Sequence, residues 1–169
     1  MMARLQRLLR HRWLDDADTR RALPPATLQR LAQHVADSER RHTGEIRIYV
    51  EPGLPTSYLW REATPRERAI AMFAKLGVWD TEQNNGVLIY LLLAEHAIEI
   101  VADRGISRHV EPAQWQQIVQ RMGSAFRAGR YEEGLGEAVD AVTAVLVQHF
   151  PATAGAANAN ELPDEPVLG

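Results

Sequence analysis

WDTEQNNGVLIYLLL, residues Trp79–Leu93, decides the fold. A polar loop closing on Asn84-Asn85-Gly86 runs straight into seven apolar residues, Val87–Leu93. The run does not alternate, so it has no solvent face. It reads as the central strand of a sheet covered on both sides. The loop before it has two readings. Asn-Asn-Gly supplies turn conformations and nothing more, or the loop is one wall of a ligand site.

Downstream, Ala94-Glu95-His96 is short enough for a hairpin turn into AIEIVA, 97–102, with Ile98 and Ile100 on one face. Upstream, Thr64–Leu76 reads as a helix. Thr64-Pro65 with Glu67 gives a cap, a first-turn proline and a capping carboxylate, and Gly77 closes it. EIRIYVE, 45–51, alternates Ile46, Ile48 and Val50 with Arg47, Tyr49 and Glu51, the pattern of a half-buried strand. A helix from Leu23-Pro24-Pro25 to about Arg40–His42 precedes it, with Leu28, Leu31 and Val35 inward. Two helices follow the hairpin, Glu111–Phe126 and Tyr131–Phe150. A further short strand is expected within Leu54–Arg61. The sum is an α/β chain, a three-layer α/β/α sandwich around a small mixed β-sheet, with no internal repeat.

Residues 2–13 place Leu5, Leu8 and Leu9 at helical spacing among Arg4, Arg7 and Arg10, a short basic amphipathic helix. It is expected to pack on its own domain, or else to contact a membrane surface or a partner. Residues 1–22 thus form an N-terminal segment with a polar linker at Asp15–Arg21. Residues 23–150 form the domain, and 151–169, rich in Ala, Asn, Pro and Gly, a flexible tail, disordered or loosely docked.

The chain has 169 residues, 46% apolar, and a net charge of −3, so no global field points to nucleic acid. Residues 1–44 nevertheless carry nine arginines against five acids. There is no cysteine, which excludes disulfides, thiolate metal sites and a cysteine nucleophile. The start lacks the continuous apolar core of a signal peptide, and no run approaches the ~20 residues that span a bilayer. The expectation is a cytoplasmic protein with peripheral contact at the inner membrane.

Phosphate-loop, dinucleotide, nucleophile-elbow and zinc-helix motifs are all absent. The six histidines show no ligand spacing, and none of the four serines is singled out. Oxygen chemistry remains. Asp80, Glu82, Asn84 and Asn85 share one loop, Asp103 ends the second hairpin strand, and Glu111 follows. In a three-layer fold both loops reach one sheet edge, where clustered carboxylates and amides suit a hard cation such as calcium or magnesium. The spacing does not match a helix–loop–helix calcium site, and turn chemistry alone also explains these residues.

Three segments taken together carry a resemblance: TGEIRIYVE (43–51), ERAIAMFAKLGVWDTEQNNGVLIYLLL (67–93), and AGRYEEGLGEAVDAVTAVL (128–146), the last following a hairpin that ends in DRGI. Over roughly residues 25–150 the chain resembles the TPM domain family, found in bacterial envelope-associated proteins and a plant thylakoid protein. The resemblance implies an α/β/α sandwich and an edge cleft where acidic loop residues hold divalent cations. It also implies a phosphatase activity for some members. Asp80 and Asn85-Gly86 match the family pattern. Asn84 stands where many members have aspartate, and Asp103-Arg104-Gly105 where many have a glycine-rich turn. Asp103 restores an acid, and Arg104 is suited to phosphate. The Arg/Leu-rich start and NELPDEPVL tail are similar to a shorter branch without signal peptide or membrane helix. The implied function is a cation-binding interaction or quality-control module, weakly catalytic or non-catalytic, with Asp80, Asn84, Asn85 and Asp103 as ligands and a LemA-type inner-membrane partner. The alternatives are a metal-dependent phosphatase using Arg104, and a membrane-surface adaptor working through residues 2–13.

Overall fold

The computed structural model describes residues 2–154 and 159–169. Strand β1 (Glu45–Glu51) pairs in parallel with β2 (Gly86–Leu92), which pairs antiparallel with β3 (Ala97–Ala102). A two-residue strand β4 (Val167–Leu168) adds in parallel to the other side of β1, giving the order β3-β2-β1-β4. β2 is central and wholly buried, as its unbroken apolar run requires. Val87, Ile89 and Leu91 face one helical layer, and Leu88, Tyr90 and Leu92 face the other.

The first layer holds α3 (Pro25–Glu39), α7 (Pro112–Arg127) and α8 (Tyr131–His149). The second holds α1 (Met2–Trp13), α4 (Thr56–Trp60) and α5 (Pro65–Lys75). The remaining helices are α2 (Asp16–Ala22) and the single turn α6 (Arg104–Ser107). The α5 cap forms as its sequence dictates: Thr64 and Glu67 bond reciprocally in a capping box. A 3-10 turn at Leu93–Glu95, closed by His96 with φ +48°, joins β2 to β3.

Four sequence expectations need correction. The Asp15–Arg21 linker is helix α2, capped by Asp15 with Asp18 returning the bond. The Leu54–Arg61 segment contains helix α4 and no strand, because Pro55 opens a helical turn. β1 is not half-buried: Tyr49 and Glu51 are covered too, since Arg68 of α5 pairs with Glu51 and the C-terminal segment covers the strand's edge. The tail is not structureless over its described length. Leu162 is buried and donates its N–H to Glu45 at 3.1 Å, Arg47 donates to the Pro163 and Glu165 carbonyls, and Gly169 N–H bonds Val50. Residues 155–158 lie outside the described residues.

Docking of the tail buries carboxyls. Glu39 accepts the Ile46 N–H at 2.8 Å beside Glu45 and Asp164. Burial, reinforced by Glu45 and Asp164, pushes its carboxyl up to about 9. Burial also raises Glu45. A carboxyl raised in the fold contributes stability at low pH that is lost as pH climbs from the ordinary 4.5 through about 9. Glu39→Gln should therefore melt several degrees above wild type near pH ~8 and match it near pH ~4.5, in melts followed by circular dichroism. Equal melting temperatures at both pH values would remove Glu39 from this account.

The basic N-terminal helix packs on its own domain. Arg7 bonds Glu95 at 2.7 Å and donates to the Ala63 carbonyl. Buried His11 accepts the Leu54 N–H at Nδ1, so its Nε2 donates to Glu95 at 2.9 Å. Arg4 pairs with Glu62, and Leu8 packs into the second layer. One carboxylate thus serves two α1 donors, and their bonds hold Glu95 below the usual range, the His11 bond foremost. Glu95→Ala should cost about 1–3 kcal/mol by leaving partly buried donors unmatched. Trypsin should then cut at Arg10 and Arg12 before the sheet opens. Unchanged cleavage there would show that Glu95 does not hold α1.

Candidate cation site

The loop entering β2 and the turn leaving β3 meet at one sheet edge. In the register Glu45 pairs with Gly86, and Gly86 accepts the Asp103 N–H at 2.9 Å. Asn84, at φ +52°, accepts the Gly105 N–H at 2.8 Å. Glycine is required at 105: a Cβ there would overlap the Asn84 carbonyl and lie 2.7 Å from that of Gln83. Gly86 is equally constrained, since a Cβ would overlap the Val78 carbonyl.

The predicted ligands separate by burial. Asn85 is fully buried. Its N–H donates to Thr81 Oγ1 at 3.1 Å and its Nδ2 to Thr43 Oγ1 at 3.2 Å, while Oδ1 has no partner among the described residues. Asp103 is buried as well. Its Oδ1 accepts the Arg104 N–H at 2.6 Å and caps α6, and Oδ2 has no partner among the described residues. Asp80, Glu82 and Asn84 are exposed. Glu82 is held through its N–H by Glu161 Oε2 at 2.9 Å. Arg104 is exposed, and Glu111 is the N-cap residue of α7, with no hydrogen bond to these loops. The structure therefore brings Asn85 and Asp103 to the edge as buried acceptors and leaves Glu82 and Glu111 in solvent.

A buried acceptor without a donor costs about 1–3 kcal/mol. Four side-chain oxygens in the described chain are in this state: Thr19 Oγ1, Glu45 Oε1, Asn85 Oδ1 and Asp103 Oδ2. Two of the four, Asn85 Oδ1 and Asp103 Oδ2, belong to the loops that meet here, while the Glu45 carboxylate opens β1 opposite Gly86 and faces the tail. Glu45 escaped the sequence reading because a glutamate opening a strand gives no sign of burial. Thr43 and Thr81, which hold Asn85 in place, escaped it for the same reason. The donor set is hard oxygen, which fits calcium or magnesium. No group of three His, Cys, Asp or Glu side chains is placed to hold a metal among the described residues. A cation here would rest on amide and carbonyl oxygens beside one or two carboxylates, a set of modest charge and low affinity.

Ser107, nearest in sequence to Asp103, donates to the Ala102 and Asp103 carbonyls at 3.2 and 3.1 Å. Ser38 and His42 meet at 2.8 Å, but both are buried in a knot with Thr143, and burial lowers His42 to about 4. A cleft of about 480 Å3 runs along the open edge of β3 between Arg66 and Trp115 and includes neither Asn85 nor Asp103. There Arg66 and Ser107 donate to the Ile100 and Ala102 carbonyls, where a further strand would otherwise pair.

Known proteins agree with this architecture. The NMR structure of the BA42 protein from the psychrophilic bacterium Bizionia argentinensis superposes with a TM-score of 0.75 at 24% identity, covering 87% of this chain and 95% of that one. The solution NMR structure of the N-terminal domain of a P. gingivalis protein gives 0.63 at 22% identity, with 78% and 82% covered. At these identities the likeness shows the fold. No curated protein matches. The TPM domain matches residues 17–145, from within α2 almost to the end of α8, and the chain belongs to the TPM domain family.

Proposed function

We propose that this TPM domain is a low-affinity divalent-cation-binding module that works by interaction and not by turnover. The supporting observation is the pair of buried oxygens without donors among the described residues at Asn85 and Asp103. Calcium or magnesium would be held by Asp103 Oδ2 and Asn85 Oδ1, with Asp80 and Asn84 at the exposed rim. It would supply the charge that these acceptors lack. The serine nearest the edge spends its hydroxyl on main-chain carbonyls, so it is not set as a nucleophile beside the cation. The same reading sets the module on the cytoplasmic side of the bacterial envelope, docking a membrane protein such as those of the LemA type. No helix among the described residues is long and apolar enough to cross a membrane.

Cation binding to the folded state alone raises the melting temperature. At tenfold excess over Kd the gain is about 1.4 kcal/mol, a shift of several degrees. Asp103→Asn keeps an oxygen for the Arg104 cap and removes the charge, so its gain with calcium or magnesium should fall to near zero. An equal gain in wild type and variant would place the cation elsewhere.

A further inference from the structure

Helix α1 is docked by one face, and its opposite face is apolar. Arg4, Arg7, Leu8 and His11 point inward. Leu5, Leu9 and Trp13, spaced four apart and hence in one row, are 58%, 43% and 79% exposed. This inverts the ordinary arrangement, in which a surface helix turns its apolar stripe to the core. Trp60, 68% exposed, ends α4 near the start of α1, where Arg4 donates to its carbonyl at 3.1 Å. Arg10 and Arg12 are exposed on the same helix, and neither has an acidic partner among the described residues. The acids that α1 contacts are already taken: Glu62 by Arg4, and Glu95 by Arg7 and His11.

We infer that α1 is a surface anchor for an anionic lipid bilayer, with Leu5, Leu9, Trp13 and Trp60 entering the headgroup boundary and Arg10 and Arg12 meeting the phosphates. Charge complementarity selects the lipid. A short apolar row flanked by unpaired guanidiniums is the chemistry of a helix lying in the interface, and tryptophan is favoured at that depth. The Arg7, His11 and Glu95 contacts fix the helix on the domain, so the row is presented already ordered and little ordering entropy opposes binding. The residues that touch lipid are thus not those that touch the domain: Arg4, Arg7 and Leu8 are excluded, and Arg12, Trp13 and Trp60 are added. This inference does not rest on the cation reading.

The test is co-sedimentation of the full chain with phosphatidylcholine vesicles, with and without phosphatidylglycerol, at low and high salt. Wild type should bind the anionic vesicles and be released by salt. Arg10→Ala with Arg12→Ala should bind at least about tenfold more weakly. The triple variant Leu5→Ser, Leu9→Ser, Trp13→Ser should not bind, while melting as wild type does, because it changes only exposed side chains. Wild type failing to bind anionic vesicles, or the triple variant binding as wild type, overturns the inference. Wild type that self-associates without binding vesicles, with association lost in the triple variant, also overturns it and assigns the row to a protein contact.

Discussion

Glu51→Ala should destabilise the fold by about 3–5 kcal/mol in urea unfolding, the cost of stripping one partner from a buried ion pair. Glu51 ends β1 and is 5% exposed. It accepts Arg68 Nε at 3.0 and 3.2 Å and Nη2 at 2.5 Å, and the Tyr90 hydroxyl at 2.8 Å. Arg68 also lies 5.0 Å over the Tyr58 ring. Each partner reports the carboxylate. Hydrogen bonding to Glu51 raises Arg68, and burial, then the Glu51 charge, raises Tyr90. Alanine leaves a guanidinium and a phenol between α5 and the sheet with no acceptor. Glu51→Gln keeps an acceptor for Tyr90 and should cost less. A loss below about 1 kcal/mol for alanine would give this pair the worth of an exposed salt bridge.

Gly86→Ala should cost about 3 kcal/mol or more, near the upper end for overpacking. The new methyl would overlap the carbonyl of Val78, itself fully buried and tied to Phe73 by a 3.1 Å hydrogen bond. Relief requires moving either central β2 or the whole 78–86 loop. Gly77→Ala is the contrasting case. Its φ is +68° and nothing lies within 4 Å of its missing Cβ. Only the left-handed backbone opposes that methyl, at about 1–2 kcal/mol. The order Gly86 above Gly77 in chemical unfolding is the expected result, and the reverse order would contradict the close approach at Gly86.

The central strand was legible because seven consecutive apolar residues admit few other placements, and α5 was legible because its cap is written in Thr64-Pro65 and Glu67. The two-residue strand β4 was not, since its pairing is supplied by β1 and not by its own composition. Helix α2 was hidden by its polarity, its stability coming from a capping box that also reads as a polar turn. β1 looked half-buried because Tyr49 and Glu51 are polar in sequence, and only the arrival of Arg68 makes burying Glu51 tolerable. At the candidate site the sequence named Asp80, Asn84, Asn85 and Asp103 as one group. Burial, which divides them into a buried pair and an exposed rim, depends on strand register.

The most direct test of the cation site is a calcium and magnesium titration of the metal-free protein, followed by backbone amide NMR. The account predicts saturable shifts centred on Thr81–Gly86 and Asp103–Gly105, absent in Asp103→Asn. No shift at millimolar cation, or shifts confined to exposed acids such as Glu133 and Asp140, would contradict it.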